Sequence, residues 1–523
     1  MRLTQYLDKG ASLGADQPCL VADDETLTYA QVQRLSWRLA QRLALAGVAT
    51  GEKVAILSSN DPVAFACVFG ISRAGNVWCP INPRNEVAEN RFILAAFDCR
   101  VLLFHSAYAE MVRKMLPDLP ALSVVVCLDA ALPFAPRLAD WLEGVPDTFF
   151  ERAPVDDLVM LPGTGGTTGV PKGVMLSGRN LEAMTALTLM SYPFHGRPVY
   201  LAFAPLTHAA GVLCLPIMTL GGRIVVMRHA DVGAFLAAIE RERVTHTFLP
   251  PTVIYMLLDH PRLPETDLAS LQCFWYGAAP ISAERLAEAL VKIGPMAQLF
   301  GQTEAPMMVS TLAPKDHYRP DGSIAVERLA SAGRPTPLVE VGIMDGEGRL
   351  LAAGERGEIV VRGSLVMAGY YRNAEATAAA SAFGWHHTGD IGYLDEENFL
   401  YIVDRAKDMI ITGGFNVYSI EVEQALLAHD DVRDCAVIGV PDEKWGERVV
   451  AVVQPREGKR IDVTALTAFV KQRIGSVKTP KQVEVWPDLP RSKVGKVSKP
   501  DVKERLRNDS AHDEAIRNPG REA

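Results

Sequence analysis

Up to about residue 333, short β-branched runs alternate with longer helical patterns, and this alternation limits the possible folds more than any other feature of the chain. "KVAILSS" from Lys53 reads as a strand, and "VAFACVFGISRAG" from Val63 reads as the helix that follows it. The rhythm returns at "RVLLF", "LSVVVCL", "RIVVM" and "VTHTFLP". Strand–helix–strand order favours parallel sheets with helices on their faces, so the expected class is α/β. Thr28-Tyr29-Ala30-Gln31 has the spacing of a capping box, and Val32, Leu35, Leu39 and Leu43 then fall on one helical face.

Beyond residue 333 the texture changes. "VEVGIMD", "GEIVVRG" and "FLYIVDR" are expected to be strands of a smaller antiparallel or barrel-like lobe. From Asp404 to Arg507, "CAVIGV", "RVVAVVQP" and "QVEVWP" mix with the helical patterns "SIEVEQALLAH" and "VTALTAFVKQRI", which suits a small α+β domain. A chain of 523 residues is too long for one core. The expected division is a large unit over 1–403, a small one over 404–507, and a polar, disordered tail over 508–523.

The net charge of -9 argues against nucleic acid or an anionic membrane as the main partner, while leaving room for local basic sites. No Asp, Glu, Lys or Arg lies between Arg197 and Arg223, a gap long enough for a spanning helix. Pro198, Pro205, Pro216, His208 and Gly211 interrupt it, so buried strands and loops are expected instead of a membrane span. The eight cysteines form no C-x-x-C pair and mostly sit in apolar strings, as reduced core thiols of a cytoplasmic protein would. The opening residues show no signal peptide.

Residues 161–177, "LPGTGGTTGVPKGVMLS", carry five glycines and several hydroxyls around Lys172. Glycines allow backbone N–H groups to close on phosphate oxygens, hydroxyls add donors, and lysine adds a positive charge. A Walker A loop would need a hydroxyl directly after the lysine, and Gly173 stands there, so the P-loop kinase or GTPase reading fails. Taken alone, the stretch could be a phosphate site or a flexible surface turn.

Other motifs follow it: "YGAAPIS" at 276–282, "LFGQTEA" at 299–305, "WHHTGD" at 385–390, "VDRAKDMIITGGFNVYSIEVE" at 403–423 and "PRSKVGKVSK" at 490–499. In this order they resemble the adenylate-forming superfamily of acyl-CoA synthetases, luciferases and peptide-synthetase adenylation domains. The likeness covers the chain from about Thr28 to Lys499. One departure is visible: Gly165 stands where the family's phosphate loop usually has serine. The resemblance implies an N-terminal domain of two α/β lobes plus a small β-barrel-like lobe, and a mobile α+β C-terminal domain. It also implies ATP, Mg2+ and coenzyme A, with a carboxylic acid as the further substrate.

By resemblance, Thr164, Gly165, Gly166, Thr167, Thr168, Gly169 and Lys172 hold the β- and γ-phosphates. Glu304 holds magnesium, with Thr168 as a second metal-side residue, and Thr303 bonds a phosphate oxygen. Phe300 and Gly301 face the adenine, and Gly277, Ala278 and Ala279 let a backbone edge approach it. Asp390 and Arg405 suit the ribose diol as acceptor and donor fork. His208 lies beside the acyl carboxylate or gates the pantetheine path, and a core histidine remains the competing reading. Lys496 bridges the carboxylate and the α-phosphate during adenylation. The C-terminal domain then turns about Lys407 and brings Gly413, Gly414 and Asn416 to the pantetheine path.

The function implied is an AMP-forming acyl-CoA synthetase. A stand-alone ligase loading a carrier-protein phosphopantetheine and a degenerate nucleotide-binding scaffold are the alternatives. Val212, Val253, Ala305, Met307 and Met308 are the expected acyl-pocket residues. They are small or apolar and include no cation for a second carboxylate, which favours a fatty or bulky alicyclic monocarboxylic acid over malonate, with aryl acids still open. No nucleic-acid partner is expected, and a homodimer is left open.

Overall fold

The computed structural model describes residues 1–165, 171–442, 444–492 and 497–517. Two large sheets make up the first three-fifths of the chain. One has nine strands, and its centre is the parallel run Val199–Ala202, His246–Leu249, Cys273–Gly277 and Met296–Gln302. The other has six strands, parallel around Lys53–Leu57, Val77–Ile81 and Cys99–Phe104. The N-terminal strand Pro18–Ala22 pairs with Arg223–Val226 of the nine-stranded sheet, so the two lobes interlock from the start of the chain.

Local chemistry accounts for the helices between these strands. Thr28 accepts from the Gln31 N–H, and the Gln31 side chain returns to the Thr28 N–H, opening the helix Tyr29–Leu45. Val32, Leu39 and Leu43 of its apolar face are buried. Asp61 caps Pro62–Arg73 through the Val63 and Ala64 N–H groups, and this helix is buried on all sides between its neighbours. All eight cysteines are buried thiols.

The uncharged stretch after Arg197 differs from its expectation of strands and loops. It contains the strand Val199–Ala202 and a buried helix, Ala209–Thr219, with Pro216 inside. Burial against the nine-stranded sheet outweighs the cost of the proline, and a Cβ at Gly211 would lie 1.9 Å from the Leu206 carbonyl oxygen. No helix among the described residues is long and apolar enough to cross a membrane.

The small lobe is a four-stranded antiparallel sheet ordered Glu340–Met344, Gly357–Arg362, His386–Leu394, Leu400–Arg405. A last, five-stranded sheet includes Val432–Asp442 and Gly446–Pro455, and it has its own core around Val422, Leu426, Val437, Val453 and Leu466. The final helix, Lys499–Arg517, continues past Asn508, where composition predicts disorder. The stretch up to Arg517 contains no glycine, and its only proline, Pro500, falls in the first turn, so nothing local stops the helix earlier.

Candidate active site

A cavity of about 530 Å³ lies between the large unit and the C-terminal unit. It opens at the carboxyl ends of Cys273–Gly277 and Met296–Gln302, where open parallel sheets commonly bind ligands. Gly277, Ala278 and Ala279 form part of its wall. A Cβ on Gly277 would sit 2.3 Å from the Leu299 carbonyl oxygen, and Ala278 has φ +69°, so the chain turns sharply and exposes its backbone edge. Phe300 and Gly301 line the same wall, as does Gln298, whose side-chain oxygen is buried and has no partner among the described residues. Small backbone, a ring face and an orphaned acceptor together suit a flat nitrogen heterocycle.

Asp390 and Arg405 also line this cavity. They are Cα partners on adjacent strands, and Arg405 Nε lies 3.0 Å from Asp390 Oδ1. The aspartate side chain is 7% exposed and the arginine side chain 50%, and both line the cavity. Lys407 follows on the wall, and Ser492 and residues 497–499 close it from the C-terminal side. Lys496 itself lies outside the described residues.

Behind Arg405 is a polar cluster that the sequence did not reveal. Lys499 Nζ contacts Glu423 Oε1 at 2.9 Å and donates to Ser419 Oγ, while Ser419 donates through its N–H and Oγ to Asp404. Burial pushes both the Asp404 and Glu423 carboxyls up, and Lys499 counteracts it. Burial likewise works against the Lys499 ammonium, but Glu423 and Asp404 outweigh it and hold its pKa above the usual lysine value. This cluster ties the start of the C-terminal unit to the strand carrying Arg405.

A second group lies away from that cavity wall. Thr303 and Glu304 form the two-residue turn between Met296–Gln302 and Ala305–Leu312. A Cβ on Gly301 would sit 2.5 Å from the Met307 nitrogen, so this turn requires glycine there. Glu304 is 9% exposed, and its Oε1 accepts from the Tyr370 hydroxyl at 2.8 Å. Burial, followed by the Glu304 charge, pushes the Tyr370 phenol well up. The Lys172 ammonium lies 5.0 Å from the centroid of the same ring.

Lys172 sits on Pro171–Gly173, paired antiparallel with Gly163–Gly165, so Thr164 stands opposite Lys172 and Gly165 opposite Pro171. Gly166, Thr167, Thr168 and Gly169, which follow Gly165 in the sequence, lie outside the described residues. Tyr370 was not singled out in the sequence because its partners are distant: Glu304 is 66 residues away. The only local hint is its place after Gly369 in a strand-poor stretch.

The acyl-side expectations fare differently. Val212, Val253, Ala305, Met307 and Met308 are not in the wall of the 530 Å³ cavity, nor is His208. Ala305 and Met308 are wholly buried in the main core, Val212 is nearly so, and Val253 packs into the neighbouring cluster. Met307 is half-buried with φ +63°. His208 precedes the helix Ala209–Thr219, with Nδ1 2.8 Å from the Thr207 hydroxyl. Gly413 and Gly414 are exposed on the turn between Ile410–Thr412 and Phe415–Val417, and Asn416 is exposed within the second of these strands; all three lie outside this cavity.

A buried carboxylate with one oxygen bonded to a phenol and the other available fits a magnesium ion that keeps water and phosphate oxygens as its remaining ligands. Among the described residues no cluster of three or more His, Cys, Asp or Glu could hold a metal.

Comparison with known proteins identifies the family. The family model described as AMP-binding enzyme matches residues 7–371, and its C-terminal domain matches 421–496. The chain is 36% identical to the medium/long-chain-fatty-acid–CoA ligase FadD8 of Mycobacterium tuberculosis, over 94% of this chain and 88% of that one. It is 38% identical to a feruloyl-CoA synthase of an Amycolatopsis species, over 92% and 94% respectively. Among solved structures it resembles the amide bond synthetase McbA of Marinactinospora thermotolerans, with a TM-score of 0.88 and 32% identity over 96% of this chain and 100% of that one. Acyl-CoA ligases of this family use ATP, Mg2+ and CoA. The chain belongs to the AMP-binding enzyme family, the adenylate-forming ligases, and is an AMP-forming acid–CoA ligase.

Proposed function

We propose that the enzyme activates a hydrophobic monocarboxylic acid, fatty or bulky alicyclic, as its acyl-adenylate and passes the acyl group to CoA. One observation carries the substrate class. The helix after His208, Ala209–Thr219, is apolar and buried, and no charged residue lies between Arg197 and Arg223 to pair a second carboxylate. Two relatives fit this class: FadD8, named for medium- and long-chain fatty acids, and a Mycobacterium tuberculosis ligase for an octahydroindenyl propanoate, 34% identical.

In this reading, Gly277, Ala278 and Ala279, with Phe300, Gly301 and the Gln298 oxygen, take the adenine. Asp390 and Arg405 exchange their mutual contact for the ribose hydroxyls. Thr164, Lys172 and the loop 165–169 hold the β- and γ-phosphates, and Thr303 bonds a phosphate oxygen. Glu304, with Thr168, would hold magnesium, which when bound supplies positive charge beside those phosphates. Lys496 would bridge the carboxylate and the α-phosphate, where two anions must meet. Two placements support an adenylating arrangement: Ser492 and Val497 flank the cavity, while Gly413 and Gly414 are turned away from it.

A panel of fatty, alicyclic, aryl and dicarboxylic acids, read by AMP release with CoA present, tests the reading. Preference for a dicarboxylic acid would overturn the substrate class. Acylation of a phosphopantetheinyl carrier protein in place of CoA would fit the relative named as a fatty acid–carrier-protein ligase, which is 32% identical.

A further inference from the structure

We propose that Tyr370 is a positioning residue that keeps the Glu304 carboxylate and the Lys172 ammonium apart, so that both charges remain available to a nucleoside triphosphate and its divalent metal. This rests on the roles proposed above for Glu304 and Lys172. Both groups contact the same ring, with Glu304 9% exposed and Lys172 half-buried, and opposite charges sharing such a partly buried site attract each other when no ligand stands between them. An ion pair between them would have to break before either could serve a phosphate or a metal. Among the described residues neither group forms an ion pair.

One aromatic ring satisfies both. Its hydroxyl, the positive end of an O–H dipole, donates to Glu304 Oε1 at 2.8 Å. Its face, the negative side of the ring quadrupole, lies under Lys172 Nζ at 5.0 Å from the centroid. Neither interaction neutralises the charge it holds. Among the described residues Glu304 Oε2 accepts no hydrogen bond and is left for a metal, and Lys172 makes no ion pair, leaving its N–H donors for phosphate oxygens.

The backbone fixes this ring between the two groups. Tyr370 is bridged to Val174, two residues after Lys172, and its N–H donates to Thr377 Oγ1 at 2.9 Å. The Tyr371 N–H donates to the Gly173 carbonyl at 2.8 Å, and the Met367 N–H to the Glu304 carbonyl at 2.7 Å. Residues 367–371 therefore link the strand carrying the lysine to the turn carrying the carboxylate, with the ring at the junction.

Two substitutions separate the contacts. Tyr370→Phe keeps the ring under Lys172 and removes the hydroxyl. Tyr370→Leu removes both and lets the lysine reach the carboxylate. The probes are the non-hydrolysable analogue β,γ-imido-ATP without metal, measured by calorimetry, and Mn2+ in its presence, measured by electron paramagnetic resonance. Tyr370→Phe is expected to weaken Mn2+ binding about tenfold, the scale of one hydrogen bond to a charged group, while metal-free analogue affinity stays within about twofold. Tyr370→Leu is expected to weaken both by about tenfold or more. Thermal melting reports folding, and if the leucine variant does not fold, the phenylalanine variant still decides the hydroxyl's part.

Glu304→Gln and Lys172→Ala serve as references. If Glu304→Gln lowers Mn2+ affinity and Tyr370→Phe does not, the positioning role is wrong and the metal role of Glu304 stands. If Glu304→Gln binds Mn2+ as tightly as the parent, the metal role itself is wrong. A leucine variant that binds the metal-free analogue like the parent would rule out the spacing role.

Discussion

Asp390 carries one of the few fully formed charge contacts in the cavity, and its loss should be read mainly in nucleotide binding. Its partner Arg405 is half-exposed, so Asp390→Asn leaves a cation that water can still reach. Such a pair contributes about 1 kcal/mol or less to stability. The expected outcome is a Tm within a few degrees of the parent and a KM for ATP raised about tenfold, because the amide is a poorer acceptor for a ribose hydroxyl. A KM for ATP equal to the parent's would remove Asp390 from the nucleotide site. Histidines 246 and 317 report on the core in a similar way. Burial depresses each pKa from 6.5 to about 4. Neutral rings use both nitrogens: His317 Nδ1 donates to the Ala313 carbonyl and its Nε2 accepts from Tyr276, and His246 Nε2 donates to the Pro193 carbonyl. The unfolded chain therefore binds more protons than the folded one between about pH 4 and 6.5. The stabilisation is complete above pH 6.5 and is lost as pH falls toward 4, up to about 3 kcal/mol for each ring. Calorimetric Tm should fall across this window, and His317→Gln should fall less steeply, by about one proton. Equal slopes would contradict burial of the neutral ring.

At the scale of elements, the site depends on turns that leave strands at their carboxyl ends. Gly277 is the tightest of these by the cavity, since a Cβ would meet backbone rather than a movable side chain. Gly277→Ala must shift the neighbouring strand Met296–Gln302, which carries Phe300. The expected cost is roughly 1–3 kcal/mol of stability, with adenylation lost out of proportion to folding, checked by denaturant unfolding and ATP–pyrophosphate exchange. Much of this architecture was legible in the sequence. The capping box at Thr28, the strands around Lys53–Leu57 and the glycines at 277 and 301 each depend on neighbours a few residues away. The buried helix Ala209–Thr219 was less legible, because prolines and histidine weigh against a helix until the packing that overrides them is known. Tyr370 and the Asp404–Ser419–Glu423–Lys499 cluster were not legible at all. Their partners meet only after distant strands have assembled, and no local spacing encodes that. The residues expected for an acyl pocket lie between these cases: they are apolar in the sequence, but Val212, Ala305 and Met308 are sealed in the core and none of the five lines the cavity.

At the scale of the whole molecule, the two chemical steps should require different faces of the C-terminal unit. The buried Lys499–Glu423–Asp404 cluster spans the segment around Lys407, since Asp404 precedes that residue and Ser419, Glu423 and Lys499 follow it. Turning about Lys407 would separate Asp404 from Ser419 and so carries an electrostatic cost that a bound acyl-adenylate or CoA must offset. Lys496 should act only before the turn. Losing one such preorganised contact typically costs about 10²–10³ in rate, so Lys496→Ala should lose adenylation but still convert supplied acyl-AMP to acyl-CoA. Gly414 is the converse case. It is exposed at φ +80°, and a Cβ there would meet nothing within 4 Å in the present arrangement. Gly414→Leu therefore strains one surface turn by about 1–2 kcal/mol without touching the nucleotide cavity, while placing a side chain where pantetheine is proposed to pass after the turn. It should form acyl-AMP at close to the parent rate and transfer it poorly to CoA. Both variants are to be assayed for pyrophosphate exchange and for thioester formation from synthetic acyl-AMP, with thermal melts to confirm folding. Equal loss of both steps in each folded variant would mean that one fixed arrangement performs both reactions.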